Sequence, residues 1–103
     1  IPVEALVDTG SGYPLLLTPR LREDLALGGT GDALELFIAG GKTSARKTPV
    51  ESFVLGPWTG APEAASLDRG SAGYDVIVGW PILSRMATTF DPASGRVWFA
   101  SPR

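Results

Sequence analysis

The chain of 103 residues has no cysteine, no histidine and a single methionine. Those absences remove whole classes of chemistry: disulfides, thiol nucleophiles, zinc sites of the Cys/His kind and every Ser-His-Asp arrangement. They leave the redox compartment open, because a protein without cysteine works in either environment. No apolar run reaches the roughly 18–20 residues of a membrane-spanning helix. Charge is sparse and nearly balanced, with 9 Lys and Arg against 11 Asp and Glu and a net charge of −2, so a nucleic-acid surface has little support. No signal or anchor is visible and the chain begins at Ile1 without an initiator methionine. It therefore reads as a trimmed chain, an excised domain or a processed product, and its localisation is unknown.

What is plentiful is glycine and proline, 13 and 9 residues, alongside 44% apolar residues. That combination favours short strands joined by many turns over long helices. A chain of this size forms one domain, residues 1–103, burying roughly 60–70% of its unfolded surface. In order, Val3 to Val7 reads as a buried strand and Pro14 to Leu17 as a second. Thr18-Pro19 has the form of a helix start, an N-cap followed by proline at the first helical position, with Gly28-Gly29 ending the helix. Leu34 to Ile38 is a third strand, and Ala39-Gly40-Gly41-Lys42 a hairpin turn. The return strand, Thr43 to Leu55, is interrupted by Pro49. Gly56 to Gly73 reads as a long surface loop, Tyr74 to Val78 as a buried strand and Pro81 to Met86 as a short helix. A closing hairpin runs from Thr88 to Ala100, with Val97 and Phe99 on one face.

Chemistry concentrates in Leu6-Val7-Asp8-Thr9-Gly10-Ser11-Gly12. An aspartate placed by an apolar strand on a tight turn can work as a carboxylate at a site. It can equally bond its neighbours' backbone amides and do nothing more. Gly10 permits the close approach such a turn needs, and Thr9 offers a hydroxyl. About seventy residues later comes a second apolar-apolar-glycine run, Ile77-Val78-Gly79, followed by Pro81-Ile82-Leu83-Ser84-Arg85. None of Asp24, Asp32, Asp68, Asp75 and Asp91 repeats the Asp-Thr-Gly pattern.

With both motifs present, the chain resembles the aspartic peptidases, at the size of the single-lobed, retropepsin-like members. The resemblance spans the Asp8 strand and loop, Leu15 to Pro19, the hairpin at Gly40-Gly41 and Ile77 through Ala100. It implies a mainly β, closed β-barrel with two short helices, peptide-bond hydrolysis, and no metal or organic cofactor. It further implies a homodimer, since the chain carries one Asp-Thr-Gly and the chemistry uses two carboxylates. Two carboxylates about 3 Å apart share one proton, so one acts as base and the other as acid.

In that scheme Asp8, Thr9 and Gly10 form the catalytic loop, with Thr9 bonding across to the partner loop. Ser11 bonds the outer oxygen of the aspartate. Ile77, Val78 and Gly79 flank and support the loop, and Ile38, Ala39, Gly40 and Gly41 form a flap over a bound polypeptide. The flap residues are equally a plain two-glycine hairpin. Lys42, Arg46 and Lys47 make it basic, which is a solvated surface or a preference for acidic substrate positions. Trp80 stands where the family often has Asp or Met; Trp58, Trp80 and Trp98 are core residues or interface anchors. Only seven residues precede Asp8, where the family usually begins with a further strand, so an N-terminal strand or a longer precursor segment is expected to be missing. Two other readings stay open: a catalytically silent dimerisation or peptide-binding module of the same fold, and one lobe of a two-lobed enzyme.

Overall fold

The computed structural model describes residues 2–27, 31–38, 41–68, 73–91, 93–94 and 96–101. Its strands are β1 (Ala5–Val7), β2 (Leu15–Leu17), β3 (Ala33–Ile38), β4 (Gly41–Lys47), β5 (Phe53–Leu55), β6 (Trp58–Gly60), β7 (Ala64–Leu67), β8 (Val76–Val78), β9 (Ala87–Asp91) and β10 (Arg96–Ala100). Two short helices, α1 (Pro19–Asp24) and α2 (Trp80–Leu83), complete a mainly β fold. Among the described residues no helix is long and apolar enough to cross a membrane.

Six strands form one sheet in the order β1-β8-β2-β7-β4-β3. Its three central strands, β8, β2 and β7, are buried along their whole length. They read as continuous small or apolar runs, Val-Ile-Val, Leu-Leu-Leu and Ala-Ala-Ser-Leu, because a strand covered on both faces has no polar side. Alternation along each strand splits these residues between two cores. Leu15, Leu17, Val76 and Val78 join Leu21, Ile82, Leu83 and Met86 on one face. Leu16, Ala65 and Ile77 join Ala45 and Leu67 on the other.

The expected closed barrel is not what forms. Among the described residues β1 and β3 are the free edges of the six-stranded sheet, while β5–β6 and β9–β10 make separate two-stranded sheets. The break falls where Pro49 lies: β4 ends at Lys47, Thr48 hands its amide to the Ala64 carbonyl (2.9 Å), and strand structure resumes only at Phe53. Proline cannot donate to a ladder, so the return strand becomes two strands in two sheets. The expected surface loop from Gly56 to Gly73 also contains two strands, β6 and the buried β7. Ala-Ala-Ser-Leu has weak intrinsic strand preference, but small side chains suit a strand hemmed in by β2 and β4. The Ser66 hydroxyl, 1% exposed, is satisfied by Thr48 Oγ1 at 2.6 Å.

The first helix starts as its sequence predicts: Thr18 Oγ1 accepts from the Leu21 amide at 3.4 Å and Pro19 follows the cap. It stops earlier than Gly28-Gly29, which lie outside the described residues. Ala26 adopts φ 52° and its amide bonds the Glu23 carbonyl, while the Leu27 amide bonds that of Arg22. That is the paired C-terminal closure usually given to glycine at this position.

Candidate active site

Strand β1 runs parallel to β8, with Val7 opposite Val78, so Asp8 and Gly79 leave the sheet side by side. Strand β2 returns antiparallel on the other side of β8, with Leu15 opposite Val78. The chain from Asp8 to Pro14 therefore loops over the end of β8. Four backbone hydrogen bonds hold it there. The Asp8 amide donates to the Val78 carbonyl (3.0 Å) and the Ser11 amide to the Asp8 carbonyl (3.1 Å). From α2 and its cap, Gly79 donates to the Pro14 carbonyl (3.0 Å) and Trp80 to the Ser11 carbonyl (2.9 Å).

Within that loop the Asp8 carboxylate is oriented by the Gly10 amide, which donates to Oδ1 at 2.9 Å. A Cβ on Gly10 would sit 3.3 Å from the same oxygen, so a side chain there would crowd the carboxylate. Asp8 is partly exposed and Thr9 and Gly10 are exposed, so the turn faces solvent. Among the described residues no other side chain bonds the Asp8 carboxylate. Ser11 is buried at 6% exposure, and its hydroxyl donates to the Tyr13 carbonyl at 3.3 Å and not to Asp8. That hydrogen bond closes the loop on itself.

Ile77, Val78 and Gly79 each have a definite place at the end of β8. Val78 is fully buried in the first core and Ile77 is 4% exposed in the second, which anchors β8 on both faces. Gly79 has ordinary extended backbone, φ −97° and ψ 177°, so its requirement is space. A Cβ there would collide with the Tyr13 carbonyl oxygen and lie 2.8 Å from that of Ser11. Of the flap residues, Ile38 pairs with Gly41 to close the β3–β4 hairpin, Gly41 has φ 120°, and Ala39 and Gly40 lie outside the described residues. The hairpin's charges are engaged locally, Lys42 with Glu35 at 2.9 Å and Arg46 with the Gly31 carbonyl at 3.4 Å.

Two residues bear on the site without a local sequence signal. Asp75 clamps the entry to the β1–β8 pair: its Oδ2 accepts from the Glu4 amide (2.9 Å) and its own amide donates to the Glu4 carbonyl (2.7 Å). Tyr13 leans on the second core with its hydroxyl out of solvent and without a hydrogen-bond partner among the described residues. Burial, and secondarily the nearby charge of Glu63, raises its pKa above the usual phenol value. Both depend on partners distant in sequence. Among the described residues no cluster of three or more His, Cys, Asp or Glu could hold a metal ion.

Beside this geometry stands the sequence comparison: the family described as aspartyl protease matches residues 1–82. The chain belongs to the aspartyl protease family. The match runs from the Asp8 strand through Ile82 of α2 and leaves out the β9–β10 hairpin. No curated protein and no solved structure matches the chain. Membership supports a peptidase-type function, that of a hydrolase acting on peptides.

Proposed function

We propose that the chain is an aspartic endopeptidase whose catalytic carboxylate is Asp8, working as a homodimer with one Asp8 from each copy. The observation that carries this reading is the Asp8 turn itself: one carboxylate oxygen is held by the Gly10 amide while the loop faces solvent. In a pair of such turns, the ionised aspartate takes a proton from a water as that water attacks the peptide carbonyl. The protonated aspartate donates to the carbonyl oxygen, and collapse of the tetrahedral species returns a proton to the leaving amine. Thr9, exposed beside Asp8, is suited to bond across to the second loop.

Two exposed apolar side chains support a partner at this surface. Trp80, 53% exposed, directly follows Gly79 and is held to the Asp8 loop through its amide. Leu6, 43% exposed, precedes Asp8 by two residues on the same strand face. Large exposed aromatics are characteristic anchors of protein interfaces. The β3–β4 hairpin would close over an extended polypeptide and offer it backbone hydrogen bonds.

The test is Asp8→Asn, which keeps side-chain volume and removes the ionisable group. Cleavage of unfolded casein should fall by at least about a hundredfold, the order associated with loss of a general acid–base, while circular dichroism stays unchanged. Wild-type cleavage should peak on the acidic side of neutral. A folded Asp8→Asn protein that still cleaves casein at the wild-type rate would end the proposal.

A further inference from the structure

We infer that a second binding site, between the β5–β6 hairpin and the residues that follow α2, takes the C-terminal residue of a polypeptide ending in an apolar side chain. The site is a cavity of about 460 Å³ lined by Pro57, Trp58, Ser84, Arg85 and Met86. That volume lies within the range of small-ligand pockets, about 300–1,000 Å³. It is fixed by backbone chemistry. The β5–β6 turn uses Gly56 at φ 55° followed by Pro57, the pairing that closes a two-residue hairpin. Opposite Thr59, the same hairpin folds the Trp58 ring over Gly60, where a Cβ would sit 2.8 Å from Cζ2 and 2.9 Å from Cη2. Only glycine leaves room for that ring position, so the aromatic wall is set before any ligand arrives.

The floor is Met86, 7% exposed and part of the first core, to which Trp58 also packs. At the rim lies Arg85, exposed; among the described residues it forms no ion pair with a carboxylate and no acidic residue lines the cavity. An apolar wall with one uncompensated guanidinium selects an apolar group that ends in an anion, and guanidinium binds carboxylate in a two-pronged geometry. Three of the five lining residues, Pro57, Ser84 and Arg85, are exposed, so the site is one side chain deep. A peptide's last residue, with its α-carboxylate, matches that depth. A long acyl chain needs enclosure that this lining does not give. The inference does not depend on peptidase activity.

Nuclear magnetic resonance of the 103-residue protein tests it directly, since three tryptophans give three indole N–H signals. N-acetyl-phenylalanine should shift the Trp58 indole and the amides of 84–86, leaving the Trp80 and Trp98 indoles in place. N-acetyl-phenylalaninamide, which lacks the carboxylate, should bind about tenfold more weakly, the scale of one charge-assisted hydrogen bond. Arg85→Gln should abolish that preference, and Gly60→Ala should displace the Trp58 signal and weaken the acid. Asp8→Asn should bind the acid as wild type does, which separates this site from the peptidase reading. Equal binding of acid and amide, shifts at Trp80 or Trp98 in place of Trp58, or stronger binding of decanoate than of the amino-acid carboxylate would each overturn it.

Discussion

Gly79 and Ser11 approach so closely that a Cβ on Gly79 would fall 2.8 Å from the Ser11 carbonyl oxygen. The same carbonyl accepts the Trp80 amide at 2.9 Å, and Gly79 itself donates to Pro14. The contact therefore welds the start of α2 to the loop that carries Asp8. It explains why a glycine follows Val78 at a backbone conformation any residue could adopt.

Gly79→Ala should accordingly damage both stability and activity. Forcing a methyl into packed backbone costs about 1–3 kcal/mol in typical cores, and here the obstructing atoms are carbonyls that cannot rotate away. Urea denaturation should show a loss in that range, and cleavage should fall further than the folded fraction alone explains, because the Asp8 loop must shift. Wild-type stability with wild-type activity would show that the loop relaxes freely.

Tyr13 gives a prediction with a definite sign. Its pKa is raised above 10.0, chiefly by burial and then by Glu63, so the folded state favours the neutral phenol. The associated stability is complete below the unfolded-state value and is lost as pH rises through the folded-state value. Denaturation midpoints should thus decline above about pH 10, and Tyr13→Phe should shed that component of the decline. At pH 7 the variant loses only a hydroxyl without a partner among the described residues, so it should match the parent or exceed it by up to about 1 kcal/mol. A clear loss of stability at pH 7 would reveal a hydrogen bond that the free chain depends on.

Ala26 closes α1 at φ 52°, a conformation that costs a residue with a Cβ about 1 kcal/mol relative to glycine. Ala26→Gly should relieve that strain and raise stability by up to roughly 0.5 kcal/mol, after the added unfolded-state entropy of glycine is deducted. Thermal unfolding followed by circular dichroism reads this as an increase of a few degrees. A decrease would mean that the position is not held in the left-handed region in solution.

How far these features could be read from the chain depends on whether their cause is local. The Thr18 cap and the turn at Asp8 rest on neighbouring residues, and each was legible. Strand β7 was not, because Ala64 to Leu67 becomes a strand only through β2 and β4 on either side. The closed barrel failed for a related reason: Pro49 marks a break, but nothing local tells whether the strand resumes in the same sheet or a new one. The structural task of Asp75 likewise depends on Glu4, 71 residues away.

The proposed dimer is the sharpest consequence of the single Asp-Thr-Gly. A closed twofold pair presents the same patch from both copies, so an axis beside the Asp8 loop would bring two Asp8 carboxylates together. It would also bring two copies of Trp80, which is 53% exposed, to the same seam. Specific activity should then fall on dilution, following the dimer fraction measured by light scattering or sedimentation. Mixing one part wild type with three parts Asp8→Asn should leave only about a quarter of the wild-type chains in active pairs, by random pairing of identical interfaces. Trp80→Ala should raise the dissociation constant by about tenfold or more, as loss of an aromatic anchor does, with activity recovering at high protein concentration. Asp8→Asn should leave dimerisation itself intact, which separates assembly from chemistry. Activity that stays constant across a measured monomer–dimer transition would mean that one chain, with one Asp8, completes the site without a second copy.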